Sequence, residues 1–295
     1  MTQSLHAIVL KLTANRAGSL HSTVGELGHA AFYAAINAVD PQLAQRVHDA
    51  EKRKPFSLSP LYGYWQSPKD KRIHIGAGQE GWLRLGLLDE ELFSAFMQHI
   101  LCSGVTGGVP GIQLGDIPFT ITESLGTPGS HPWVGYTTMQ QLVYLDDAPD
   151  RWVLEFESPA AIRWGQADKE GQIDKGARRV EIFPQPRLMI ASLRSRWNRM
   201  VDDCFGEAGE PFKYDRDFEE WVERNVVVSK VFEWQTQPFP YRKQTYVGGL
   251  GKLEYRLLDT SNRAYAIHFH RLMHLAFFAG VGYKTTHGLG QVRLV

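Results

Sequence analysis

The most conspicuous chemical feature of this 295-residue sequence is a glycine-rich segment near its C-terminus. Lys284, Thr285 and Thr286 lie between its glycines. Glycine allows the backbone to approach a ligand closely and to direct successive N–H groups towards an anion. The lysine and the two hydroxyl groups would add donors for phosphate oxygens, so the residue types predict an anion-binding loop. The glycines are Gly280, Gly282, Gly288 and Gly290.

A second interpretation of this segment remains open. The segment has no GxxxxGK[ST] frame of a P-loop. It follows a predicted helix, whereas the glycines of a dinucleotide-binding fingerprint come at the start of a helix. A helix C-cap followed by a tight turn accounts for the same glycines without any ligand.

Three histidines precede the segment, and their spacing raises the question of a metal site. His270 and His274 are four residues apart, as in some zinc sites, and His268 lies nearby. The glutamate of an HExxH motif is absent, and no Cys, Asp or Glu accompanies the histidines. We therefore expect no bound metal.

Length and composition are those of a globular chain. The sequence is 43% hydrophobic and 22% charged, a balance that excludes a chain disordered throughout. The two cysteines, Cys102 and Cys204, are too few for a disulfide framework. No stretch is apolar enough for a signal peptide or a membrane span. We expect a cytoplasmic protein with no membrane partner.

Charge is unevenly distributed although the net charge is zero. Counting Lys and Arg against Asp and Glu, residues 1–72 carry +4, 160–199 carry +5 and 225–295 carry +6. In contrast, residues 73–159 carry −9 and 200–224 carry −6. If the basic blocks meet on one face, they form a positive groove suited to RNA. An ordinary mixed surface explains the same counts.

The hydrophobic pattern predicts two consecutive α+β units. In the first, Asp40 caps a second helix that begins at Pro41, and Thr23 and Glu26 have capping-box spacing for the helix before it. This order of elements is that of a ferredoxin-like fold. The other elements are strands over 5–13, 56–61, 72–77, 81–87 and 112–122 and a helix over 89–101.

The second unit begins with a strand at Arg151. Residues 165–179 are polar without an apolar period and predict a loop. We therefore expect two domains, 1–148 and 149–295. The later elements are helices over 186–204 and 215–224, strands over 226–235 and 241–258, and a helix from its cap Asn262 to Ala279.

Five segments spread over nearly the whole chain carry a family resemblance. The tail, residues 270–293, reads HRLMHLAFFAGVGYKTTHGLGQVR. The others are LAQRVHD at 43–49, KPFSLSPL at 54–61, FPQPRLM at 183–189 and SRWN at 195–198. Together they resemble the CRISPR repeat-RNA (pre-crRNA) processing endoribonucleases of the RAMP superfamily. The resemblance implies two tandem ferredoxin-like (RRM-like) domains with a C-terminal glycine-rich loop, in agreement with the element order.

The resemblance also implies a metal-independent endoribonuclease that cuts CRISPR repeat RNA within precursor transcripts and needs no cofactor. In this reaction a ribose 2′-hydroxyl attacks the adjacent phosphorus and expels the 5′-oxygen. The products carry a 2′,3′-cyclic phosphate and a 5′-hydroxyl. A base, an acid and positive charge near the phosphorane assist the reaction. Histidine suits the proton transfers, lysine the charge, and tyrosine the orientation of the nucleophile.

The resemblance assigns catalytic roles to Tyr33 on the first helix, His48 on the second and Lys54 before the next strand. The turn between the two helices would bring Tyr33 and His48 together. His29 is a rival, because it lies one helical turn before Tyr33. It would serve as the acid, as a second proton-transfer group or as an RNA contact. A half-buried histidine at a helix margin explains it equally well.

RNA binding is expected at the glycine-rich loop and at basic residues outside it. These residues would contact the RNA backbone, although a solvated surface explains the arginines too. The expected RNA-binding residues are Gly280, Gly282, Lys284, Thr285, Thr286, His287, Gly288, Gly290, Lys52, Arg53, Arg163, Arg178 and Arg179.

An alternative function is a non-catalytic RNA-binding RAMP subunit of a CRISPR effector complex. Cleavage-dead relatives usually lack the histidine, so His48 and His29 favour the enzyme. Both functions imply repeat RNA as a partner, and subunits of an effector complex are further candidates.

Overall fold

The computed structural model describes residues 3–21, 24–50, 54–66, 72–105, 108–164, 179–241 and 244–295. These residues form antiparallel sheets and helices, which confirms the predicted α+β class. The strands are β1 (Ser4–Ala14), β2 (Gly18–His21), β3 (Phe56–Leu58), β4 (Trp65–Gln66), β5 (Arg72–Ile75), β6 (Glu80–Leu87), β7 (Gly111–Leu114), β8 (Ile117–Leu125), β9 (Gly135–Thr138), β10 (Arg151–Ala160), β11 (Ile162–Trp164), β12 (Arg179–Glu181), β13 (Val226–Tyr241), β14 (Gln244–Leu257) and β15 (Val292–Leu294). The α-helices are α1 (Val24–Val39), α2 (Pro41–Asp49), α3 (Glu90–Val105), α4 (Met139–Val143), α5 (Pro186–Phe205), α6 (Arg216–Asn225) and α7 (Arg263–Ala279).

The first sheet holds α1 beside the strand that follows α2. Its strand order is β3-β6-β1-β8-β7, and β9 also pairs with β1. Helices α1 and α3 pack together over this sheet. The ring of Phe32 in α1 lies 4.5 Å from that of Phe56 in β3 and 5.5 Å from that of Phe96 in α3. Because these buried rings fix α1 over β3, the outer edge of α1 lies next to the residues that lead into β3.

The second sheet is built from the other end of the chain. Its strand order is β13-β14-β10-β15, and α5 and α7 pack against each other beside it. Trp152 in β10, Trp197 in α5 and Phe269 in α7 are almost fully buried in its core. The chain leaves this core at the end of α7 and enters the glycine-rich loop before β15.

Buried polar side chains join this C-terminal segment to the first sheet. Arg84 in β6 donates to the backbone oxygens of Trp133 and Phe277 at 2.9 and 2.5 Å and to Gln291 Oε1 at 2.6 Å. Gln291 Nε2 donates in turn to the backbone oxygen of Leu58 at 3.1 Å. Burial lowers the pKa of Arg84 to about 9. These bonds set where the glycine-rich loop lies relative to β3 and β6.

Several local predictions are confirmed. Asp40 caps α2 by accepting from the Leu43 backbone N–H at 2.9 Å, and Pro41 is the first residue of that helix. Asn262 caps α7 in the same way through the N–H of Tyr265. The division of the chain into 1–148 and 149–295 stays a prediction.

The structure differs from the sequence prediction at two strands. The strand expected over 112–122 is a hairpin, β7 and β8, because Gly115 takes a φ of 57° and reverses the chain. The strand expected over 72–77 is β5, but it pairs with β2 and β4 in a separate three-stranded sheet. Thr23 of the expected capping box lies outside the described residues.

Candidate active site

Tyr33 and Lys54 join the C-terminal end of α2 to α1. Lys54 Nζ donates to Tyr33 Oη at 2.8 Å and to the backbone oxygens of Val47 and His48 at 3.3 and 3.2 Å. Tyr33 Oη donates to the Val47 oxygen at 3.1 Å. The last carbonyl groups of a helix lack partners within it and carry partial negative charge, so an ammonium group there is stabilising. The two predicted residues therefore lie together, with their polar atoms directed at the end of α2.

His48 lies at this end of α2, and its side chain is exposed. Its ring lies nearly perpendicular to the Tyr33 ring, with 5.9 Å between the centroids. The structure thus brings together the three residues that the family resemblance selected. Their catalytic roles remain predictions.

His29 lies between this cluster and the glycine-rich loop. Its ring centroid is 4.8 Å from that of Tyr33 and 4.3 Å from that of His287. Its Nδ1 atom is buried and has no hydrogen-bond partner among the described residues. Burial, with the positive charges of Lys54 and Lys284, lowers the pKa of His29 to about 4. The imidazole is therefore neutral at pH 7 and holds no extra proton to supply, which argues against the acid role.

Burial also perturbs Tyr33 and Lys54. It raises the pKa of Tyr33, so the phenol stays protonated and acts as a hydrogen-bond donor. It lowers the pKa of Lys54, an effect that the Asp49 carboxylate opposes and the charge of Lys284 reinforces. The positive charge of Lys284, in the glycine-rich loop, therefore acts on the ammonium group of Lys54, before β3. A phosphate group bound there would relieve their repulsion.

The glycine-rich loop packs directly on α1 through Gly25. A β-carbon at Gly25 would lie 1.9 Å from the backbone oxygen of His287, so a larger residue forces the two segments apart. One turn later, a β-carbon at Gly28 would meet only the end of the Leu58 side chain, at 2.7 Å. The first helix and residues 285–287, a short 3₁₀ turn, therefore form one surface.

Much of the glycine-rich loop is buried, and its hydrogen bonds to other parts of the protein stabilise the fold. The Gly290 N–H donates to the Pro159 oxygen at 3.0 Å. Thr285 and Thr286 are buried, and Arg196 in α5 donates to Thr285 Oγ1 at 2.8 Å. The C-cap and tight turn considered from the sequence thus account for a large part of this segment. Residues Gly282–Lys284 and His287 are only half-buried and so are partly accessible to a ligand. Phosphate contacts by Gly280, Gly288, Gly290 and the two threonines remain predictions.

Arg163 lies beside the half-buried part of the loop. Its guanidinium carbon is 3.7 Å from the centroid of the Tyr283 ring, and its Nη2 donates to Tyr246 Oη at 2.9 Å. Lys284 Nζ lies 5.2 Å from the same Tyr283 ring. Stacked arginine and tyrosine offer a flat cationic surface of the kind on which RNA bases stack. Lys52, Arg53 and Arg178 lie outside the described residues, as does the side chain of Arg179 in β12.

The three histidines of α7 lie away from this cluster, in and beside the second core. Trp152 Nε1 donates to His270 Nδ1 at 3.0 Å, and the Nε2 atoms of His270 and His274 are 3.2 Å apart. Burial lowers the pKa of His268 and of His270 to about 4. Within the described ranges, no three His, Cys, Asp or Glu side chains form a group placed to hold a metal ion.

Sequence reasoning missed two contributors to this site. His287 was expected to contact RNA, but nothing in the sequence indicated that its ring packs against that of His29. Arg196 belongs to the SRWN segment of the resemblance, yet no role was assigned to it. In the structure it donates to the backbone oxygen of Ala279 at 2.7 Å and so anchors the start of the loop.

Comparison with protein families identifies both parts of the chain. Residues 4–144 match the CRISPR Cas6 N-terminal domain, and residues 154–292 match the CRISPR-associated endoribonuclease Cas6. No curated protein matches the chain by sequence. Among the described residues, no helix is both long and apolar enough to cross a membrane.

Solved structures extend the similarity to the whole chain. A product complex of the Thermus thermophilus Cas6 TTHB231 is 26% identical, with a TM-score of 0.75, over 99% of this chain and 100% of that one. A product complex of another Cas6, TTHA0078, is 26% identical with a TM-score of 0.69 and 99% of each chain covered. A RAMP protein that binds different RNA substrates is 15% identical over 98% of this chain and 99% of its own, with a TM-score of 0.57, a likeness of fold alone. The expected tandem ferredoxin-like fold is confirmed.

Proposed function

The chain belongs to the Cas6 family of CRISPR-associated endoribonucleases, and from this premise we propose that it cuts CRISPR repeat RNA within precursor transcripts. The observation that carries the proposal is the meeting of two groups of residues. His29, Tyr33, His48 and Lys54 come from α1 and the segment around α2, and the His287 ring of the glycine-rich loop packs against His29. Relatives similar over the full chain are known as complexes with their products.

We propose that His48 and His29 carry the two proton transfers. The 2′-hydroxyl gives its proton to the neutral imidazole of His29 while its oxygen forms a bond to phosphorus. The bond from phosphorus to the 5′-oxygen breaks, and His48 supplies the proton that the departing oxygen needs. His48 suits this step because its exposed ring can regain a proton from solvent. The products are a 2′,3′-cyclic phosphate and a 5′-hydroxyl.

The remaining side chains stabilise charge and hold the geometry. Lys54 uses its hydrogen bonds on Tyr33 and on the end of α2, so it contributes its charge and the position of His48. Lys284 adds a second positive charge from the loop, which favours the crowded phosphorane over the ground state. In this mechanism the protein's own residues supply the acid, the base and the positive charge, so we propose that no metal is required.

The same proposal covers the organisation of the chain. We assign the catalytic histidines to a first domain, 1–148, and the glycine-rich loop to a second, 149–295. The partner is repeat RNA, held by Arg163 and the half-buried part of the loop, with effector-complex subunits as further candidates. The cytoplasm is the proposed location.

Cleavage of the cognate repeat RNA by the purified protein in EDTA tests this function. We expect cutting at one position, with a cyclic phosphate on the upstream product. A substrate with a 2′-deoxyribose at that position should bind and stay intact. Cleavage of the deoxy substrate would exclude attack by the 2′-hydroxyl, and loss of cutting in EDTA would exclude the metal-independent reaction. Binding without any cutting would favour the non-catalytic subunit.

A further inference from the structure

A small cavity adjoins the candidate active site on the far side of His287. It has a volume of about 220 Å³ and lies between the segment after β3, the end of β10 and the β13 strand. This is smaller than the roughly 300 Å³ at which pockets for drug-sized ligands begin, and larger than a site for a few waters of about 30 Å³ each. Its size therefore fits one flat ring system.

Flat side chains supply the walls of this cavity. Phe239 and Tyr64 line it together with Pro60, and His287 forms the boundary with the catalytic cluster. Tyr64 Oη donates to the Gln79 backbone oxygen at 3.2 Å, which fixes its ring. Rings and prolines of this kind accept a base that has left a stack, as single-stranded RNA bases do when proteins read them.

Two polar groups in the cavity have no hydrogen-bond partner within the described part of the chain. The hydroxyl of Tyr62 is buried and unpartnered, and its ring is held by stacking on Trp82 at 4.2 Å. The half-buried Glu157 carboxylate accepts no hydrogen bond from any described residue. Both residues line the same cavity. Burial raises the pKa of both groups, and the negative charge of Glu157 raises that of Tyr62 further. Buried polar atoms are normally paired, so the unpartnered Tyr62 hydroxyl is a donor left for a ligand, and the half-buried Glu157 carboxylate is an acceptor in the same cavity.

We propose that this cavity binds a guanine base of the RNA at a nucleotide flanking the scissile phosphate. Guanine presents two adjacent donors, N1–H and the N2 amino group, to a carboxylate, and its O6 accepts from a hydroxyl. Glu157 and Tyr62 supply those two groups. Adenine, cytosine and uracil each lack the pair of adjacent donors. The inference rests on the proposed function, because His287 places the base next to the reacting phosphate.

Binding of a non-cleavable RNA separates this proposal from the cleavage mechanism. The probe is the cognate repeat with a 2′-deoxyribose at the cleavage position and, in turn, inosine in place of each guanosine near it. Inosine lacks only the N2 amino group. We expect one position at which inosine weakens binding to the wild-type protein about ten-fold, as a lost bidentate contact does.

Variants then assign that position to the cavity. Glu157→Gln should bind the guanosine and inosine RNAs within two-fold of each other. Glu155→Gln is the matched control, because Glu155 lies on the same strand but pairs with Arg293 at 2.6 Å; it should keep the ten-fold preference. Tyr62→Phe removes only the hydroxyl, so it should weaken binding of guanosine RNA and still prefer guanosine to inosine.

Two results would overturn the proposal. One is the absence of any inosine-sensitive position, and the other is a Glu157→Gln protein that keeps the wild-type preference. Failure of the proposed function would look different, because all-ribose RNA would then bind with its guanine preference intact and remain uncut. A wild-type protein that binds no repeat RNA would contradict both proposals.

Discussion

Replacing Gly25 with alanine separates the first helix from the glycine-rich loop without touching any group proposed to react. The new β-carbon would lie 1.9 Å from the backbone oxygen of His287, whereas ordinary contact begins at 3.4 Å. The two backbones must therefore move apart by about 1.5 Å, because neither partner is a flexible side chain. This shift would separate the rings of His29 and His287, which now lie 4.3 Å apart.

The expected effect is large on catalysis and modest on stability. A misplacement of about 1 Å in an active site can cost on the order of 100-fold in rate, so we expect a loss of that size in single-turnover cleavage of repeat RNA. Overpacking costs about 1–3 kcal/mol of unfolding free energy, and the better helix propensity of alanine offsets about 1 kcal/mol of it.

Gly28→Ala provides the matched control on the same helix. Its β-carbon would meet only the end of the Leu58 side chain, which can rotate away. This variant gains the same helix propensity and should cleave within a few-fold of the wild type. A Gly25→Ala protein that is folded and cleaves as fast as Gly28→Ala would refute a single site formed by α1 and the loop.

Four further outcomes are expected. Lys54→Met should slow cleavage by ten-fold or more, because it removes the hydrogen bonds that hold the end of α2. Lys54→Arg should recover part of the rate, and equal cleavage rates for Lys54→Met and the wild type would contradict this role. Arg84→Met should lower the free energy of unfolding in urea by about 3 kcal/mol, since three buried oxygens lose their donor; a change below about 1 kcal/mol would contradict that role. His268 has a pKa of about 4 when folded against 6.5 when unfolded, so unfolding takes up a proton and the stability it contributes is lost as pH falls from 6.5 to 4. His268→Phe should therefore show a smaller drop in Tm between pH 7.5 and 5 than the wild type, and an unchanged drop would count against it. Arg163→Ala should weaken RNA binding with little change in the rate at which bound RNA is cleaved. A lower cleavage rate with unchanged binding would contradict a binding role.

Local sequence signals predicted those parts of the fold that depend on neighbouring residues. Asp40 and Pro41 mark the break between α1 and α2 because capping and the fixed φ of proline act within one turn. The hairpin at Gly115 was missed because a single glycine in an apolar run does not reveal its φ. The pairing of β5 with β2 was missed because register depends on residues far apart in the chain.

The same distinction between short-range and long-range contacts applies to the candidate site. Tyr33, His48 and Lys54 lie within 22 residues, and the family resemblance over this stretch was enough to group them. The contact of His29 with His287 joins opposite ends of the chain and depends on Arg84, Gln291 and the close approach at Gly25. Tyr62 and Glu157 are likewise brought to one cavity only by the meeting of the two sheets.

Cleavage of RNA with sulfur in place of the scissile 5′-oxygen tests the role of His48 most directly. A thiolate leaves without a proton, so a missing acid no longer matters. His48→Ala should cut normal RNA at least 100-fold more slowly than the wild type and cut the sulfur-substituted RNA at nearly the wild-type rate. Equal slowing of both substrates would contradict proton donation by His48, and normal cutting of both would remove it from the site.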